Sequence, residues 1–322
     1  MKPDGALYGL TAFGGQRGTG TVFKITLDGT CAVVYSFGAA ASDGAVPTGG
    51  LVQASDGNFY GATSSGGAHH CVQIPSDGGN CGTIFRMTPT GAVTVIHSFG
   101  RTPDDGVTPN GSLIQASDGQ LLGTASNGGA SGAGTVFRLT LDGALSTLHA
   151  FSMTFTSDGY LDGIAPQGPL LQGRDGAFYG TTTSGGRGAF WCQSLFGCGT
   201  VYRMTADGTT SVLHSFATDS ESDGSGPAPY LIQAWDGHLY GTTHSGGAHR
   251  GSGNGTAFRL TTDGALTVLH SFGPLGQLPS DPASGLTEGR DGAFYGVTSY
   301  NGQLGAVGAF AGSGTVFKLV IN

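Results

Sequence analysis

The chain is short of charge. Only 11% of its 322 residues are charged, and Glu occurs twice, as Glu221 and Glu288. So little Glu, set against 62 glycines, argues against long helices, because glycine is costly inside a helix and useful in tight turns. No apolar run approaches the length of a membrane span. Basic residues are outnumbered 13 to 21, and the net charge of −8, with a pI near 5.4, disfavours nucleic acid and anionic membrane as partners. No C-x-x-C pair is present to build a zinc site. No secretory leader is visible either. Met1-Lys2-Pro3 opens directly into patterned sequence, so the chain is expected to be a mature or trimmed segment of an exported protein. Regular Val, Ile, Phe and Tyr runs between the glycines exclude disorder.

What the chain does have is one sentence written six times. Its first half, Asp-Gly-x-hydrophobic-Tyr-Gly-x-Thr with Phe or Leu as the hydrophobic residue, runs from Asp4 to Thr11, Asp56 to Thr63, Asp175 to Thr182, Asp236 to Thr243 and Asp291 to Thr298, with a looser copy from Asp118 to Ala125. Its second half, Gly-Thr-hydrophobic-aromatic-basic, opens at Gly20, Gly82, Gly134, Gly199, Gly255 and Gly314. A period of roughly 55–60 residues belongs to repeat architectures, in which each unit buries its faces against its neighbours.

One copy contains four short strands. The first follows a proline, as at Pro109 and Pro227, and an Asp-Gly turn leads to the second. A Gly-Gly loop leads to the third, and an Asp-Gly hairpin, such as Asp142-Gly143, leads to the fourth. Four antiparallel strands repeated radially predict an all-β fold, a β-propeller forming one domain over residues 1–322. The second and third strands recur six times, but the proline-led first and the His-Ser-Phe fourth only five. Six blades with incomplete closure is the expectation, with five blades plus spare strands as the alternative. An unfinished blade exposes an edge that invites a strand from another protein subunit.

The Asp-Gly-x-Phe-Tyr-Gly-x-Thr, Gly-Thr-Val-Phe-Arg and Leu-His-Ser-Phe strings together resemble the choice-of-anchor tandem repeat family, the Gloeobacter/Verrucomicrobia (GloVer) repeat, over essentially the whole chain. The resemblance implies export to the surface or exterior of a bacterium, where members often carry a separate C-terminal anchoring segment. For this chain no such anchor is expected after Asn322. The family brings no catalytic residues with it.

Cysteines agree with an oxidising compartment. Cys71 and Cys81 bracket one long loop and Cys192 and Cys198 its counterpart, so two local disulfides are expected. Cys31 is left over, as a buried small hydrophobe.

Candidate sites divide into recurring and irregular residues. Sixteen Asp residues precede Gly, a turn arrangement, leaving Asp104, Asp219 and Asp281. The Asp-Gly-x-x-Pro loops at Asp43, Asp105, Asp162 and Asp223 are either loop-to-strand turns or calcium loops, and the fifth copy breaks the pattern around Ser280-Asp281-Pro282. No other cofactor is expected. His97, His149, His214 and His270 return once per repeat, with Tyr35 in the first, as packing elements rather than bases. A basic residue follows each third-strand aromatic: Lys24, Arg86, Arg138, Arg203, Arg259 and Lys318. These either pair with turn Asp residues and carbonyls or form a ring for an anionic polysaccharide. The irregular residues lie in the Gly-Gly loops. His69, His70 and His244 are candidate rim residues, and Phe190, Trp191 and Phe196 form either a sugar-stacking or protein-contact platform or a cap on the blade. Asn110-Gly111-Ser112 and Asn254-Gly255-Thr256 match the N-glycosylation pattern.

The reading is a non-catalytic exported interaction module, a structural protein or subunit of a larger assembly, whose partners are other protein subunits or extracellular polysaccharide. The alternatives are a carbohydrate-active propeller enzyme, a lyase or glycosidase, and a multivalent lectin-like binder.

Overall fold

The computed structural model describes residues 5–71, 81–102, 104–187, 197–216, 221–248, 255–273, 280–282, 284–300 and 314–321. The fold is all-β, six antiparallel sheets that are the blades of a β-propeller. The chain divides into two compact units, 1–151 with 165–170 and 152–164 with 171–322.

In the first unit, the first blade has three strands, Leu7–Thr11, Thr21–Ile25 and Cys31–Ser36. The second has Gly44–Gln53, Phe59–Gly66, Thr83–Met87 and Val93–Ser98. The third has a first strand in two pieces, Gly106–Pro109 and Ile114–Gln115, then Leu121–Gly128, Thr135–Leu139 and Leu145–Ala150. In the second unit, the fourth blade begins with Phe155–Thr156 paired to the long strand Gly159–Gln172, whose residues 165–170 group with the first unit. Phe178–Arg187, Thr200–Met204 and Thr210–Ser215 follow. The fifth has Ser225–Pro227 with Ile232–Gln233, then Leu239–Ser245, Thr256–Leu260 and Leu266–Ser271. The sixth has Ser280–Pro282 with Thr287–Glu288, then Phe294–Tyr300 and Thr315–Leu319. Among the described residues the first blade lacks a first strand and the sixth a fourth, as the strand count predicts.

One difference from the sequence reading is that the first strand starts before its proline. The Asp-Gly-x-x-Pro segment is already paired with the second strand, as Gly44↔Gly66 and Gly106↔Gly128 show. A backbone irregularity then splits the strand.

Register explains the repeated letters. The second-strand Gly lies opposite the third-strand aromatic, as Gly61↔Phe85 and Gly241↔Phe258, and the ring occupies the space a Cβ would need. The second-strand Thr opposes the third-strand Thr, and their hydroxyls bond at 2.8 Å in Thr63–Thr83 and Thr182–Thr200. In the looser third copy Ala125 replaces that Thr, and the buried Thr135 Oγ1 has no hydrogen-bond partner. Each fourth-strand His or Tyr packs edge-on against the Phe two residues later, as His97 on Phe99 at 4.9 Å and His214 on Phe216 at 4.8 Å. In the first unit Phe99 continues onto Phe137, and in the second Phe216 onto Phe258, so each packed layer passes into the next blade.

Successive blades are latched by Gly and Pro. The residue before the proline has a left-handed backbone at Val46 (φ 55°), Thr108 (59°), Ala165 (56°) and Asp281 (55°), with Gly226 (60°) in the fifth blade. For β-branched Val46 and Thr108 this conformation is strained, and for any residue before proline it is rare. It turns the N–H toward the preceding blade. Val46 donates to Thr19 O, Thr108 to Cys81 O and Ala165 to Ala133 O, each at 2.9 Å, and Gly226 donates to Cys198 O at 2.8 Å. The proline then rests on the Gly that opens the preceding third strand. A Cβ on Gly199 would lie 2.6 Å from Pro227 Cδ, and one on Gly255 2.8 Å from Pro282 Cδ.

Cys71 and Cys81 are disulfide-bonded, as expected. Cys198 is disulfide-bonded too, and its expected partner Cys192 lies outside the described residues. Cys31 is not buried as expected. It is a free thiol, exposed at the start of a fourth strand with no further strand beside it.

Candidate functional site

The recurring polar residues are engaged inside the scaffold. Asp43 accepts the Tyr35 hydroxyl at 2.9 Å and the N–H groups of Gly38, Ala39 and Gly44 at 2.8–3.1 Å. Burial, with Asp43 beside it, pushes the Tyr35 phenol up to about 12. His97 Nε2 stands 3.4 Å from Asp105 without a hydrogen bond, while His214 bonds Asp223 at 2.8 Å. The Asp-Gly-x-x-Pro carboxylate thus ties the end of one fourth strand to the start of the next blade. Three or more His, Cys, Asp or Glu side chains gather nowhere among the described residues as a metal-ion ligand set.

A second recurring group lies at the turn between first and second strands. Tyr60, Tyr179, Tyr240 and Tyr295 donate to the turn carboxylates of Asp56, Asp175, Asp236 and Asp291 at 2.7–2.9 Å. Register places the third-strand basic residue opposite each Tyr, so Arg203 reaches Asp175 and Lys318 reaches Asp291, both at 2.9 Å. Hydrogen bonds from Lys318 and Tyr295 hold the Asp291 carboxyl down to about 2. Burial pushes the Tyr60 and Tyr240 phenols up to about 12, so at neutral pH they are hydrogen-bond donors rather than bases.

One cluster departs from the pattern. His244 lies one residue before the end of a second strand, at the place taken by Ser64, Ser126, Thr183 and Ser299 in other blades. Ser64 and Ser126 donate to the carbonyls of Val46 and Thr108, the left-handed residues of their own blades, at 3.1 and 3.2 Å. His244 instead crosses to the sixth blade, where its Nδ1 lies 2.8 Å from Oδ1 of Asp281. Ser299 also hydrogen-bonds Asp281, and the His244 hydrogen bond is the main force holding this carboxyl below its ordinary value. The His244 side chain is 39% exposed and that of Asp281 31%. With Nδ1 given to the carboxylate, Nε2 is left to accept a hydroxyl proton or bond a ligand. No orienting acid for a histidine is apparent from sequence spacing alone. The signal was Asp281 itself, which does not precede Gly and lies where the fifth loop breaks the pattern.

The other predicted residues do not join this cluster. His69 is half-buried and His70 exposed, immediately before Cys71 in the first unit. Phe190, Trp191 and Phe196 lie outside the described residues. The strand leading to them ends at exposed Arg187, which lines a cavity of about 450 Å³ with Leu161, Val212, Leu213, His214 and Ser215. A residue missed from sequence is Trp235, 74% exposed in the turn before Asp236. Its signal was its place before an Asp-Gly turn where the other copies carry Pro, Ser or Arg.

No curated protein is detectably similar to the chain in sequence. Similar solved structures include the extracellular domain of a protein described as a hybrid two-component system from B. thetaiotaomicron, at 12% identity and a TM-score of 0.50, covering 92% of this chain and 34% of that one. A luciferin-regenerating enzyme is 12% identical with a TM-score of 0.48, over 92% of this chain and 83% of its own. A protein described as a glucose dehydrogenase from Thermus thermophilus is 16% identical with a TM-score of 0.46, over 98% and 100%. At such identities the likeness is one of fold. The Gloeobacter/Verrucomicrobia repeat profile matches residues 159–322, just over half of the chain, and covers the tandem strings of the second unit. The chain belongs to the Gloeobacter/Verrucomicrobia repeat family.

Proposed function

We propose that the chain is a non-catalytic exported interaction module, a surface or extracellular structural protein that contacts partners through its irregular residues. The observation that carries this reading is the use made of the recurring polar groups. Imidazoles, phenols and carboxylates that could have formed a reaction centre are engaged in pairs such as His214–Asp223 and Arg203–Asp175. The Cys71–Cys81 disulfide supports an oxidising, extracellular location. The sixth blade supports assembly with another subunit. Its third strand has no fourth strand beside it among the described residues, and Val316 is 75% exposed there. Extracellular polysaccharide is the other partner class.

The second reading, a carbohydrate-active enzyme, is favoured by one observation, the carboxylate-backed imidazole of His244. Incubation with neutral and anionic polysaccharides, followed by assays for new reducing ends and unsaturated uronate, separates the two. Binding without turnover is expected. Turnover abolished in His244→Ala would establish the enzyme instead.

A further inference from the structure

The residue before each Asp-Gly turn forms the tip between first and second strands. In the first unit the tips are Ser55 and Ser117; in the second they are Arg174, Trp235 and Arg290. All three of the latter are exposed, Trp235 by 74%. The Arg174 N–H donates to Gln233 Oε1 at 2.9 Å and its Nη1 donates to the Trp235 carbonyl at 3.1 Å, so one tip's guanidinium is anchored on the backbone of the next.

The acids of these turns are engaged elsewhere. Asp175 accepts Arg203 and Tyr179, Asp236 accepts Tyr240 and the His238 N–H, and Asp291 accepts Lys318 and Tyr295. No ion pair joins Arg174 or Arg290 to a carboxylate among the described residues. In a chain of net charge −8, the tips of the two neighbouring blades each present an exposed guanidinium beside the blade that carries an exposed indole. An indole face stacks on the apolar face of a pyranose ring, and a guanidinium grips a carboxylate through paired N–H donors.

We propose that Trp235, flanked by Arg174 and Arg290, is a binding platform for an anionic, uronate-type polysaccharide. This rests on the interaction-module reading and names its ligand class.

The test uses the full chain with polygalacturonate as probe, dextran as a neutral sugar and poly-L-glutamate as a charge without a sugar. Polygalacturonate should bind and dextran and polyglutamate should not. Trp235→Ala and the pair Arg174→Ala with Arg290→Ala should each weaken binding about tenfold or more, Trp235→Phe should retain most of it, and the melting temperature should stay put because these side chains are exposed. Absence of polygalacturonate binding, equal binding of dextran or polyglutamate, or unchanged affinity in Trp235→Ala would overturn the proposal. Release of unsaturated uronate with the Trp235 dependence intact would sink the non-catalytic reading and leave the platform. Absence of both binding and turnover would remove the platform and leave the module.

Discussion

Two neighbouring junctions in the second unit differ by the position of one carboxylate. Between the fourth and fifth blades the acid stands four residues before the proline, at Asp223, and holds His214 at 2.8 Å. Between the fifth and sixth it stands one residue before the proline, at Asp281, and holds His244 instead. The His214 pair is largely buried, while the His244 pair is about a third open to water. His270, the counterpart of His214, keeps its packing on Phe272, and partial desolvation lowers its pKa although the residue is exposed. Displacing an acid by three positions therefore turns a scaffold pair into one that can meet a ligand, while the Gly-Pro latch stays in both junctions.

The largest effect should come from what the junctions share. Gly199→Ala and Gly255→Ala each place a Cβ against the neighbouring strand's backbone at positive φ, where Thr182 O and Thr243 O already lie close. Each should cost about 3 kcal/mol or more by urea denaturation, and tolerance at Gly255 alone would show that the two latches are not equivalent. The carboxylates should separate the junctions. Asp223→Asn should cost about 1–2 kcal/mol. Asp281→Asn should stay within about 0.5 kcal/mol, because Asn accepts the left-handed backbone and the site is about a third open to water.

A smaller gain is expected in the third blade. Ala125→Thr restores the hydroxyl pair that Thr135 lacks and should add about 1 kcal/mol, read as a raised melting temperature. A drop would mean that the pocket has closed around the alanine.

The mildest effect is on acid sensitivity. His270 has a folded pKa below its ordinary 6.5, so the stability it contributes is complete above that value and is lost as pH falls toward the folded one. His270→Tyr, the residue type of Tyr35, should flatten the fall in melting temperature between about pH 7 and pH 5. Asp281 acts lower. Its folded pKa lies beneath 3.8, so its contribution is present above about pH 4 and is lost as pH falls further.

Much of the fold was legible because repetition multiplies weak signals. One Asp-Gly turn says little, but six in step with alternating apolar strands specify blades. The split first strand was not legible, since left-handed Val46 and Thr108 contradict what their side chains prefer. The engagement of Tyr, Asp and Arg in one turn cluster follows from register, which spacing alone does not supply. At the site, His244 was marked by its irregularity, but its partner lies 37 residues away and comes near only when the sixth blade packs on the fifth. Trp235 was hidden by sitting inside a repeated turn. Cys31 misled, because a lone apolar-looking residue on a last strand has nothing to cover it.

Urea unfolding of His214→Ala beside His244→Ala tests most directly whether recurring residues serve the scaffold while the exceptions are free to serve a ligand. His214→Ala should lose about 1–3 kcal/mol, as half-buried Asp223 gives up the imidazole that bonds it at 2.8 Å, and His244→Ala less than about 0.5 kcal/mol. Equal losses would contradict the account, for His244 would then be one more latch.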